Sequence, residues 1–380
     1  MTRKIILDPD GDVCLRLHDN AANESQSGEH AQPASGTANS KPTLDLIVSS
    51  KIMATASPVF QGMFYGKFKE GIEFAACQAS SAVYVQELPD DHAKATIALC
   101  AIIHFKNEYI AEKPTPTFLV KLANLAKKYL CVQAIYLPCR LWLKHQLEVW
   151  TVRTEDHGTK RQITHATKSL CQCLYVAYIL DIPEEYATIF NVLVLNDMGT
   201  SEYHGSLTEY LGKVEFRHDI RDRLAMQRAQ CLAGIYDKMM NTDMMEFHCG
   251  PNMEESRATS LGRFINVLVT MKIWPNKRTF EGVSIGEIIQ KVATISDKIE
   301  GAHCGTDPRE SYCECQDHKV FSWAGQLVEE CFSLKAELTG RSGVYYSQYG
   351  CLDCLKASSG QKRGLDGNIK QVCRVKHNHR

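Results

Sequence analysis

No apolar run in the sequence approaches the roughly 18 residues that a bilayer-crossing helix needs. The best stretch, around Leu99–Ile103, is broken by polar residues within one or two turns, so no membrane span is expected. The opening residues, MTRKIILDPDGDV, set only three apolar residues between two basic ones and Asp8, far short of the apolar core of a secretory leader. The expectation is a soluble protein of the cytoplasm or nucleus. An excess of either charge is also missing. Forty-three Lys and Arg against 44 Asp and Glu leave a formal charge of −1, so no whole-molecule field commits the chain to nucleic acid or to an acidic membrane. Catalytic signatures are absent as well: there is no Gly-rich phosphate loop, no His-Glu-x-x-His and no Gly-x-Ser-x-Gly. With 16 Cys and 14 His, an adjacency such as His248-Cys249 is expected by chance, so the sequence points away from an enzyme. No repeat of 20 to 50 residues is visible, which argues against a solenoid or propeller.

What is present is a chain of ordinary globular composition, 44% hydrophobic and 23% charged. Its 380 residues suggest two or three folding units at roughly 100 to 200 residues each. Ile5–Leu17 reads as a hairpin, with Asp8-Pro9-Asp10-Gly11 as the turn and Val13, Leu15 and Leu17 alternating on one face. Residues 18–42 hold no aromatic or large aliphatic side chain and read as a disordered insertion. Leu44, Leu46 and Val48 resume the strand period. From Ser49 to Phe64 the period becomes helical, and Ser57-Pro58 is expected to end one short helix and cap the next. Val83–Val85 reads as a strand. Asp90 and Asp91 are expected to cap a helix lined by Ala93, Ile97, Cys100 and Ile103, and Thr117 a helix lined by Phe118, Leu122, Leu125, Ala126 and Tyr129. A last turn runs through Val132, Ile135, Leu141 and Trp142. These elements form an α+β unit over residues 1–145, followed by a polar linker, 146–167. A helical region, 168–300, carries Leu170, Cys173, Leu174, Ala177 and Tyr178, then Ile220, Leu224, Cys231 and Ile235, then Phe264, Val267, Leu268 and Met271, and one more helix in Gly282–Ile299. Residues 301–380 are Cys-rich, lack a clean period and end in a basic tail.

Four segments of the first unit, GDVCLRL, SSKIMATASPVFQGMFYGKFKEG, LPDD and LVKLANLAKKYLCVQAI, occur in an order and spacing that resemble the BTB/POZ family, in particular its fungal members. The resemblance covers about a third of the chain. It implies a BTB/POZ fold at the N-terminus, followed here by a mostly α-helical C-terminal region, and it implies work by contact: self-association and binding of cullin-3 or of transcriptional corepressors. Cullin-3 adaptors carry a hydrophobic-x-Glu element after the helical corner, matched here by Phe68-Lys69-Glu70. With Phe60 and Phe64 of the corner, these residues are the candidate partner contacts. The resemblance also brings two departures. Ser49 stands where many members open the corner helix with His, leaving Asp12 to be read as a turn residue. Only Met1–Lys4 precede Ile5, so the helix that builds the family homodimer is not expected and self-association is left open. The segments LGRFINVLVTMKIWP and GVSIGEIIQKV resemble a companion region of similar fungal proteins, which implies nothing about mechanism.

Two further constellations carry chemistry. Cys313, Cys315 and His318, with Cys351 and Cys354, offer thiolate and imidazole ligands for a structural zinc, although only Cys351-x-x-Cys354 has a knuckle's interval. Lys362, Arg363, Lys370, Arg374, Lys376 and Arg380 stand against Asp366 alone. A solvated terminus explains such a tail more simply than phosphate contact, so direct nucleic-acid binding is not expected. Three readings follow: an adaptor, with cullin-3 as its scaffold; a nuclear regulator acting through protein contacts; and a zinc-stabilised C-terminal module.

Overall fold

The computed structural model describes residues 3–18, 43–153, 160–197, 217–240, 262, 265–273, 282–294, 327–329, 331–334, 350–358 and 373–374. It is a mixed α+β protein in which helices dominate and, among the described residues, the strands form one four-stranded sheet. The chain divides into two compact units. Unit 1 comprises Met1–Glu155 with Tyr175–Ile182, and unit 2 comprises Asp156–Leu174 with Pro183–Arg380. Among the described residues no helix is long and apolar enough to cross a membrane.

The sheet of unit 1 contains β1 (Arg3–Ile6), β2 (Val13–His18), β3 (Thr43–Val48) and β4 (Tyr84–Leu88), in the spatial order β1-β3-β2-β4. The hairpin expected over Ile5–Leu17 does not form. The turn itself does, with the Gly11 amide donating to the Asp8 carbonyl at 3.0 Å, but β3 inserts between the two strands. It pairs parallel with β1, where Ile5 faces Leu46, and antiparallel with β2, where Leu15 faces Leu46. Gly11 is required at this crossing, because a Cβ there would lie 2.8 Å from the Val48 carbonyl oxygen and 2.9 Å from that of Asp8. Val13, Leu15 and Leu17 point into the core as their alternation foretold. Between them Arg16 bridges Asp45 of β3 at 2.8 Å and reaches Glu87 of β4 at 3.5 Å. The guanidinium's hydrogen bond holds the Asp45 carboxyl below its usual range.

The corner forms as expected. Helix α1 (Ser50–Ala56) ends at Ser57, which caps α2 (Pro58–Tyr65), its hydroxyl accepting from the Phe60 amide at 3.1 Å while donating to the Tyr129 carbonyl. Beyond the corner lies α3 (Lys69–Ala79), which the sequence reading did not separate from it. The strand placed at Val83–Val85 runs from Tyr84 to Leu88.

Helix α4 (Ala93–Ile103) is buried on nearly every side. Its cap is His92, whose Nδ1 accepts from the Ala95 amide at 3.2 Å, and not Asp90 or Asp91. Asp91 is drawn inward instead, where Lys128 at 2.5 Å and the Tyr129 hydroxyl both donate to it. Helix α5 (Pro116–Lys128) is capped by Thr115 rather than Thr117, because Pro116 takes the first helical position. Helix α6 (Val132–Arg153) runs through Pro138 and buries Ile135, Cys139 and Leu143, whereas Leu141 faces outward. It continues into the first part of the segment read as a polar linker, and α7 (Lys160–Ile179) begins within the last part.

Asp12 is not merely a turn residue. Its carboxylate accepts from the amide of Ser50 at 2.8 Å, the Ser50 hydroxyl at 2.7 Å and Gln78 at 3.2 Å, so Ser50 supplies the donors of a part-buried polar pair. An imidazole does reach the corner, from the end of α4: His104 Nε2 accepts from the Ser49 amide at 3.0 Å. That fixes the proton on Nδ1, which donates to the Cys100 carbonyl at 2.8 Å. Burial lowers the His104 pKa; nearby Asp8 opposes the shift and Lys106 adds to it. A native histidine held neutral stabilises the fold fully above its unfolded pKa of about 6.5, and this contribution is lost as pH falls toward the depressed native value. Between pH 6.5 and 5.5 the wild type should lose up to about 1 kcal/mol more stability than His104→Gln. Urea unfolding at the two pH values reads the difference, and parallel losses would remove His104 as the cause.

Unit 2 contains most of α7, then α8 (Pro183–Asn196), α9 (Arg217–Met240), α10 (Ile285–Ala293) and α11 (Leu352–Ser358). The expected apolar faces are buried: Leu170, Cys173 and Leu174 on α7, and Ile220, Leu224, Cys231 and Ile235 on α9. Leu268 and Met271 are buried too, while Phe264 lies outside the described residues. Helix α10 is shorter than the span expected, Gly282–Ile299; it is capped by Ser284 and buries Ile285, Ile288, Ile289 and Val292.

Candidate functional site

The candidate partner contacts separate into two groups. Phe60 and Phe64, read as contacts, are only 0% and 1% exposed and belong to the core. Phe60 stacks on Tyr129 at 4.4 Å and on Phe64 at 5.9 Å; Phe64 meets Phe74 at 5.5 Å, and Phe74 meets Tyr84 edge-on at 5.8 Å. A period of 3.6 residues places both rings on one helical face but does not say whether that face is covered.

Phe68 is 68% exposed. It occupies the N-cap position of α3 without a side-chain cap bond, and Ile72, one turn on, is 64% exposed. Two glycines hold this bend. A Cβ on Gly71 would lie 2.3 Å from the Gly66 carbonyl oxygen, and one on Gly66 would lie 2.1 Å from that of Gly62. The start of α3 therefore packs backbone to backbone against the end of α2, and Lys67, Phe68 and Lys69 between the glycines project outward. Lys69 is exposed and pairs with Glu73 at 3.7 Å. Glu70 is half-buried in the first turn of α3, where a carboxylate is favoured by the helix dipole. Tyr65 is exposed beside this bend, its ring edge-on to Phe74 and its hydroxyl 2.7 Å from that of Ser50. Sequence reasoning did not single out Tyr65 or Ile72, which carry no motif of their own.

In unit 2 the structure brings Cys351 and Cys354 together with Cys373, the three sulfurs lying within 4.8 Å of one another. Cys313, Cys315 and His318 lie outside the described residues, as does the basic tail apart from Cys373 and Arg374. Cys373 stands 19 residues beyond Cys354, too far for a local spacing to tie it to Cys351-x-x-Cys354. The signal that could have found it is His377, which follows Cys373 at a three-residue gap. Burial pushes the thiols of Cys351 and Cys354 above their usual range. The same holds for Cys100, Cys139, Cys171 and Cys173, which act as small core hydrophobes.

No family model, curated protein or solved structure matches the chain.

Proposed function

We propose that unit 1 is a protein-interaction module of the BTB/POZ type, an adaptor that makes and breaks no bonds, with cullin-3 as the scaffold it docks. The observation that carries this reading is Phe68: a large aromatic ring left mostly in water beside a tightly packed bend. An aromatic anchor carried on a tightly packed backbone loses less entropy on binding than one on a loose segment, and aromatic anchors account for much of the affinity of protein interfaces. Glu70, two residues further on, can accept a charge-assisted hydrogen bond from the partner. The element order supports the family reading: paired strands, a helical corner, one further strand and a helical cluster follow the sequence order of the four matching segments.

The test is capture of purified cullin-3 by the full chain. Phe68→Ala should weaken binding by about 2 kcal/mol, near thirtyfold, while leaving thermal stability within about 0.5 kcal/mol, because the ring is exposed. Glu70→Lys should also weaken capture. Wild-type protein that fails to bind cullin-3, or binding that neither substitution changes, would end the ubiquitin-ligase reading. Capture of a corepressor through the same Phe68 would replace the scaffold and keep the docking surface.

A further inference from the structure

The thiol cluster of unit 2 is organised around a short helix. Cys351 immediately precedes α11 and Cys354 lies in its first turn, the Leu355 amide donating to the Cys351 carbonyl at 3.0 Å. Cys373 is brought to them from 19 residues further along by an ion pair. Asp353, whose side chain is 1% exposed, accepts from the Arg374 amide at 2.8 Å and from its guanidinium at 2.8 Å. The residue on each side of this clasp is a cysteine: Cys354 beside Asp353 and Cys373 beside Arg374. Their sulfurs stand 3.6 Å apart. Four sulfurs at about 2.3 Å from a tetrahedral zinc lie about 3.8 Å from one another, so this edge has the length that a shared ion requires.

We propose that Cys351, Cys354 and Cys373 bind one Zn²⁺ as a structural site of unit 2. Sulfur-only donors select thiophilic ions over magnesium or calcium, and a two-residue gap followed by a distant third thiol is the pattern of small zinc modules. Binding displaces the thiol protons to solvent and leaves three thiolates on the ion, a net charge of −1. Arg223, whose guanidinium lies 3.4 Å from the Cys354 carbonyl, offsets that charge. The Asp353–Arg374 clasp serves as a positioning pair, holding the third ligand in place before the ion arrives. The fourth corner of the tetrahedron is left for a water or a further side chain.

The experiment uses the full chain, purified under reducing conditions without added metal. Elemental analysis should find zinc, and Cys354→Ser and Cys373→Ser should each carry one equivalent less than the wild type, while Cys77→Ser of α3 carries the full amount. Zinc that both cluster variants retain would assign the ion elsewhere, to Cys313, Cys315 and His318 among others, and overturn the proposal. Should the variants fail to fold, the wild type decides by thiol alkylation mapped by mass spectrometry. Half-exposed Cys354 and Cys373 should be protected as purified and react at least tenfold faster after a chelator. Equal rates before and after chelation, copper in place of zinc, or a Cys354–Cys373 disulfide in the reduced preparation would each overturn it.

Discussion

Ser57→Ala is expected to lower the stability of unit 1 by about 2–4 kcal/mol. The side chain is fully buried and its hydroxyl does two things at once. It accepts from the Phe60 amide, satisfying one of the donors that the first turn of α2 leaves without an intrahelical partner, and loss of such a cap costs about 1 kcal/mol. It also donates to the carbonyl of Tyr129, the residue that ends α5, and a carbonyl stranded in the interior costs about 1–3 kcal/mol. Pro58 cannot compensate, having no amide to offer. Ser57→Thr keeps the hydroxyl and fits the extended backbone of the cap, φ −148° and ψ 121°, so it should recover most of the loss. Urea unfolding of the full chain, followed by hydrogen exchange in α2 and α5, measures both. A loss below about 0.5 kcal/mol for Ser57→Ala would mean that the corner is not held by this bond.

The same serine shows how far the sequence could be read. Ser-Pro names a helix start from local chemistry alone, and the break, the cap and the two short helices all lie where that chemistry puts them. The tie to Tyr129 spans 72 residues and has no local trace. The cap expected at Asp90 or Asp91 falls instead to the neighbouring His92, because the Asp91 carboxylate has a buried tyrosine and a lysine to meet, a long-range demand. The hairpin was misread for a related reason. Turn chemistry at Asp8–Gly11 was correct, but whether β1 pairs with β2 or admits β3 between them depends on a strand 25 residues beyond β2. Helix α8 went unseen because nearly every residue from Glu185 to Leu195 is buried, Thr188 aside, so no polar face existed to mark a period. At the candidate site, Phe68 is exposed, as a contact residue must be, whereas Phe60 and Phe64, given the same reading, are buried: identical residue types four apart look alike in the sequence whether they face a partner or a core.

Arg228→Met is expected to destabilise unit 2 by about 3 kcal/mol, through three helices at once. Arg228 projects from α9 into the interior and donates to the carbonyl of Asp197, just past the end of α8, and at 3.0 Å to that of Val283, just before the Ser284 cap of α10. A cation at the end of α8 also meets the negative pole of that helix. Methionine fills similar volume and spares the cost of burying a charge, which offsets part of the loss, but it strands two carbonyls on separate segments at about 1–3 kcal/mol each. Arg228→Lys separates charge from geometry. A lysine keeps the cation but not the planar fork that addresses both carbonyls together, so its stability should fall between wild type and the methionine variant. Hydrogen exchange should report lost protection at the end of α8 and the start of α10 in both variants. If lysine matched the wild type, the charge alone would suffice and the two-carbonyl tie would be wrong; if methionine did, the guanidinium would hold nothing together.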